Sequence, residues 1–85
     1  MMTLEQLLAK EKDGVLLDIE IELRDAVVPA TGYAHQYIRS VNKMIDAGEL
    51  RINQTTYRKV YLPTFAKAVH KELARRWVDT MLYKK

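Results

Sequence analysis

Gln36, Arg39 and Lys43 follow one another at steps of three and four residues, the spacing of a single helix face, with His35 and Asn42 on its flank. These side chains have a shared chemistry. An arginine fork matches guanine O6 and N7, Gln or Asn can make two hydrogen bonds to adenine, and Lys can take a phosphate or guanine. His35, Gln36 and Arg39, early in the stretch, are the candidates for touching base edges, with Lys43 behind them. A solvated helix face can have the same composition, so the pattern gains weight only from the elements around it.

A second cluster lies between residues 50 and 62. Arg51, Thr55, Thr56, Arg58 and Lys59 are cations and hydroxyls suited to phosphates, which position a protein on nucleic acid without reading its sequence. Tyr57 and Tyr61 alternate with Arg58 and could stack on unpaired bases. The need of a small core for aromatic surface favours both rings packing inward.

Other chemistries find little support. The chain has no cysteine and only two histidines, His35 and His70, neither with an acidic partner at metal-ligand spacing. Ser40 is the sole serine and lacks a nucleophile-elbow sequence. Asp18, Glu20 and Glu22 fall on one side of an alternating stretch and could hold a hard cation, although such carboxylates usually come from loops that wrap the ion. Gly14, Gly32 and Gly48 each fall at a helix end or turn, and no phosphate-cradling loop is present. The expectation is a protein that is not an enzyme, with no metal, no cofactor and no small-molecule substrate.

The elements that must position these residues can be read along the chain. Thr3 and Gln6 have capping-box spacing and open a helix over 3–12, with Leu4, Leu7 and Leu8 on one stripe. Residues 16–23 alternate Leu17, Ile19, Ile21, Leu23 with Asp18, Glu20, Glu22, which predicts a half-buried strand; Leu16, Ile19, Leu23 and Val27 also fit helical spacing. Arg24 to Ala30 reads as a brief helix ended by Pro29 and Thr31-Gly32. Ala34, Tyr37, Ile38, Val41, Met44 and Ile45 mark a helix from Tyr33 to Ala47, closed by Gly48. Two β-rich runs around Asn53-Gln54-Thr55-Thr56 predict a hairpin over 50–62. Pro63 ends it, and Thr64 can cap a last helix over 64–83.

Helix, strand, short helix, turn, long helix and hairpin follow in the order of a winged helix-turn-helix. The stretch from Arg24 to Tyr33 resembles the first helix and turn of such motifs. Ile38-Arg39 followed by Ala47-Gly48-Glu49-Leu50 resembles the second helix running into the wing. Tyr57-Arg58-Lys59-Val60-Tyr61-Leu62-Pro63 before a helix is similar to the wing's return strand in MerR- and excisionase-type proteins. The likeness covers residues 16–70. It implies an α+β, mostly helical fold with a helix-turn-helix over 24–47, a small antiparallel hairpin as the wing and a long C-terminal helix. It further implies that the 33–47 helix enters the major groove of double-stranded DNA.

Composition sets the remaining bounds. Eighty-five residues, 48% hydrophobic, suit one domain over 1–85. The longest apolar stretch, Ala26 to Ala30, is far short of the roughly 20 residues of a membrane span, and residues 1–14 lack a signal-peptide core, so a cytoplasmic location is expected. Residues 1–50 carry five basic against nine acidic residues, while 51–85 carry nine against two, and such asymmetry points to a cationic face for a polyanion. Phe65, Val69 and Leu73 suffice to dock the last helix, so Trp77, Val78, Met81 and Leu82 are left over for a homodimer interface. The expected function is transcription regulation through sequence-specific DNA binding, in a phage or plasmid setting. The alternative is a protein-interaction module or inhibitor that uses the same fold without DNA.

Overall fold

The computed structural model describes residues 2–52 and 59–83, with side chains described as far as Trp77. Among these residues the protein is mostly helical, with one two-stranded sheet. The elements are β1 (Met2–Thr3), α1 (Leu4–Ala9), α2 (Asp13–Leu23), α3 (Tyr33–Asp46), β2 (Leu50–Arg51) and α4 (Leu62–Tyr83). Thr3 ends β1 and caps α1: its hydroxyl accepts from the Gln6 amide at 3.2 Å, and the Gln6 side chain accepts from the Thr3 amide at 3.0 Å. This is the capping box that the Thr3–Gln6 spacing predicts.

Residues 16–23 are not a strand. They belong to α2, where Leu16 and Ile19 are fully buried and Leu23 packs at the edge of the core. Steps of three and four residues between these side chains bring them onto one stripe, and burial of that stripe outweighs the β-like alternation. The cost of the choice is visible on the other side of the helix, where Leu17 and Ile21 face solvent. The carboxylates separate as well: Asp18 is exposed, Glu20 approaches His70, and Glu22 reaches α3. The row of acids that could have held a cation therefore does not form.

Arg24 to Ala30 contains no helix either. The chain turns through residues 24–32, with Val27 81% exposed and Val28 partly buried against the core. Pro29 brings no N–H and its ring would crowd a preceding helical turn, so a helix here would lose bonds without burying Val27. The Gly32 amide instead donates to the Pro29 carbonyl at 3.0 Å.

α3 buries Ala34, Ile38 and Val41 and ends in a Schellman motif. The Gly48 amide donates to Ile45 O and the Glu49 amide to Met44 O, with Gly48 at φ 76°, a conformation glycine adopts without strain. That reversal delivers Leu50 into the core and pairs β2 with β1 in parallel, Met2 opposite Leu50 and Thr3 opposite Arg51. The antiparallel hairpin expected over 50–62 is not seen among the described residues: β2 pairs with the N-terminus, and 59–61 are not strand. Its tip, Asn53-Gln54-Thr55-Thr56, lies outside the described residues, as do Tyr57 and Arg58. Tyr61 is 64% exposed rather than packed inward.

α4 starts at Leu62, ahead of Thr64, with Pro63 in the first turn where a missing N–H costs no helical bond. Phe65, Val69 and Leu73 seat it against the other helices, and the Phe65 ring stacks on Tyr37 of α3 at 5.4 Å. Arg76 ties α4 to α1. Its Nη2 donates to the carbonyls of Leu8, Ala9 and Glu11, its Nη1 to Asp13, and its Nε to Glu72. The guanidinium thus joins the Lys10 and Glu11 amides in satisfying the C-terminal carbonyls of α1, which has no basic residue in its own last turn.

Candidate nucleic-acid interface

α3 presents its polar side away from the core. At about 100° per residue, Gln36, Arg39 and Lys43 stand opposite the Ala34–Ile38–Val41 stripe, and all three are exposed. From Gln36 to Lys43 the ridge runs about 10 Å along the helix, on the scale of a major groove about 12 Å wide. His35 is half-buried on the flank.

Two of these side chains have partners in the free protein. Gln36 Nε2 donates to Thr31 O at 2.8 Å, and Arg39 Nη1 donates to Ala30 O at 3.1 Å. Both bonds are at the surface and worth only about 1 kcal/mol each, so a base edge or phosphate can take their place. Long side chains on α3 lean toward its N-terminus, which is why they find the carbonyls of the preceding turn.

On one side the ridge borders α2 across a shallow groove of about 320 Å³, lined by Val15, Asp18, Ile19, Tyr33, Gln36, Tyr37 and Ser40. On the other side Asn42 grips Val60. Asn42 Nδ2 donates to Val60 O at 3.2 Å, and the Val60 amide donates to Asn42 Oδ1 at 2.7 Å. Val60 is fully buried, while Ile52 packs partly into the core. Ile52 and Val60 are thus both seated in the core, Val60 beside α3. Lys59 and Arg51 are exposed next to these anchors. Thr55, Thr56 and Arg58 lie outside the described residues, as do the side chains of Val78, Met81 and Leu82; Trp77 is 64% exposed.

The N-terminus of α3 is already occupied. Glu22, near the end of α2, accepts from the Tyr33 amide at 2.8 Å and the Ala34 amide at 3.0 Å. A carboxylate sits where the helix dipole would otherwise attract a phosphate. Below the ridge, Tyr37 donates to Glu11 Oε1 at 2.8 Å, and burial followed by that carboxylate raises its phenol well above the ordinary value.

Sequence reasoning put Asn42 on the flank with adenine-reading chemistry, but its amide is committed to the backbone. Glu22 and Arg76 carried no signal of their long-range role, because the amides and carbonyls they reach belong to distant segments. A polar residue adjoining an apolar stripe, as Asn42 does, is the one hint that was available. No cluster of metal-ligating side chains occurs among the described residues, and no helix there is long and apolar enough to cross a membrane. Comparison with protein-family models, with curated proteins and with solved structures gives no match to this chain.

Proposed function

We propose that this protein binds double-stranded DNA through the outer ridge of α3 and regulates transcription in the cytoplasm. The observation that carries the reading is the ridge itself: Gln36, Arg39 and Lys43 are exposed in line, directly opposite the core stripe. Arg39 and Gln36 supply base-reading forks, and Lys43 supplies charge. The winged-helix reading draws support from Val60, held by Asn42 of α3, and from β2, which follows the turn that closes α3. Within it, α2 takes the place of the first motif helix, and Arg51, Lys59 and the 53–58 residues Thr55, Thr56 and Arg58 grip phosphates.

The test is a titration against random-sequence duplex DNA at two salt concentrations, followed by selection of a preferred site. Binding should weaken by about 0.9 units of log K per log salt for each phosphate contact. Absence of binding at low salt would sink the reading. The second reading, a protein-interaction module, is favoured by one observation: α2 exposes Leu17 and Ile21 in addition to its acids. Such a module would leave duplex DNA unbound at either salt concentration.

A further inference from the structure

α2 and α4 lie antiparallel, held by two polar contacts. His70 Nδ1 is 3.4 Å from Glu20 Oε1, and Arg76 Nη1 donates to Asp13 Oδ1 at 2.6 Å, so residue 20 faces residue 70 and residue 13 faces residue 76. The core side of α2 is Leu16, Ile19 and Leu23. Leu17 and Ile21, one turn apart, project from the opposite side and are 42% and 61% exposed. On α4, Trp77 turns outward on the side bordering α2 and is 64% exposed. Three large apolar side chains thus lie on the outward side of one helix pair, beyond what a small domain needs for its core.

The charges on this pair are divided by helix. From Asp13 to Leu23 every charged residue is acidic. From Leu62 to Trp77 the outward charges are Lys67, Lys71 and Arg75, while Glu72, the one acid, is 8% exposed and bonded to Arg75 and Arg76. One helix of the face is anionic and the other cationic.

We propose that this face is a self-association surface, joined to the same face of a second copy with α2 of each protomer lying over α4 of the other. A two-fold axis parallel to the helices gives this arrangement. The alternative two-fold, α2 over α2, would set Asp18 against its own image and is disfavoured by like charge. In the α2-over-α4 arrangement, Asp18 meets Lys67 and Lys71, and Leu17, Ile21 and Trp77 fill the dry centre. The inference goes beyond the DNA reading and does not depend on it, since Gln36, Arg39 and Lys43 take no part in this face.

Sedimentation equilibrium of the purified chain tests it, with emission from Trp77, the sole tryptophan, as a second readout. Expected are a dimer that weakens as salt rises, and a blue shift of Trp77 emission with concentration. Ile21→Lys should weaken the dimer at least about tenfold with an unchanged circular dichroism spectrum. A chain with Lys67→Glu and Lys71→Glu, and separately one with Asp18→Lys, should each self-associate poorly, while their equimolar mixture forms a dimer. A monomer at every soluble concentration overturns the proposal, as does a dimer indifferent to Ile21→Lys and to both charge reversals. A monomer that still binds DNA would sink this inference alone, and a dimer that ignores DNA would sink only the functional reading.

Discussion

Glu22 and Gly32 stand so close that a Cβ on residue 32 would lie 2.5 Å from Glu22 Oε1. Gly32 has φ −80° and ψ −178°, an extended conformation open to any residue, so the glycine answers to crowding and not to backbone geometry. The carboxylate that crowds it is the one that accepts from the first amides of α3. Gly32→Ala is expected to push the carboxylate aside and lose a cap worth about 1 kcal/mol. In a Glu22→Ala background the same change should be neutral or stabilise by about 0.4–1 kcal/mol, because only the unfolded chain loses freedom. Urea unfolding of the two single variants and the double variant reads this sign reversal. A Gly32→Ala cost that is the same in both backgrounds would rule out the crowding account.

The grip of Asn42 on Val60 calls for both a donor and an acceptor. Asn42→Ala leaves a buried amide and carbonyl unmatched and should cost about 2–3 kcal/mol. Asn42→Asp preserves the acceptor for the Val60 amide but sets a carboxylate oxygen against Val60 O. It should therefore destabilise by at least as much as alanine at neutral pH and recover in part where the carboxyl is protonated. Chemical denaturation at two pH values checks both. A fully stable Asn42→Asp at neutral pH would show that the backbone contact is not made through the amide nitrogen.

How far the sequence anticipates this molecule follows from the reach of each interaction. Local signals were readable: the Thr3–Gln6 box, the Ala34–Ile38–Val41 stripe and the Gly48 stop all lie within one element. The outward ridge of Gln36, Arg39 and Lys43 follows from the same periodicity. The α2 segment was misleading because Leu17, Ile19, Ile21 and Leu23 satisfy a two-residue period while Leu16, Ile19 and Leu23 satisfy a helical one. Only tertiary packing against α3 and α4 decides between them. The parallel pairing of Met2–Thr3 with Leu50–Arg51 joins segments nearly fifty residues apart, which no local pattern encodes. The same holds for Arg76 and its carbonyl partners on α1.

Glu72, bonded to Arg75 and Arg76, should make the fold acid-sensitive. Glu72 has its carboxyl held below the ordinary value of 4.5, chiefly by the hydrogen bond from Arg75; burial opposes the shift, and the bond from Arg76 adds to it. Arg76 in turn is held more firmly charged, first by Glu72 and then by Asp13, with burial opposing. A carboxyl lowered by folding contributes stability that is complete above its unfolded value and is lost as pH falls through the folded one. Wild-type stability should therefore decline below about pH 4.5, and Glu72→Gln should remove part of that slope. Arg76→Met, which leaves the partly buried Glu72 with one cation fewer and removes the donor to Ala9 O and Glu11 O, should cost about 3 kcal/mol at pH 7. Thermal melts across pH 3 to 7, at roughly unit steps, separate the two effects. An acid limb identical in wild type and Glu72→Gln would assign the sensitivity elsewhere.

Arg39 and Lys43 share a ridge but should fail differently on DNA. Arg39 has a planar fork able to pair with guanine, so Arg39→Ala should reduce discrimination at one base position by about 1–3 kcal/mol. Its lost bond to Ala30 O lies at the surface, so the melting temperature should move little. Lys43 carries a point charge suited to phosphate, so Lys43→Ala should weaken all sequences alike and lower the salt slope by about 0.9. Binding measured on a selected site and on a scrambled duplex, at several salt concentrations, resolves the two signatures. If both variants lose affinity uniformly, the ridge positions the protein without reading sequence. If neither changes binding, DNA contacts a surface other than α3, and the proposed orientation of the helix in the groove is wrong.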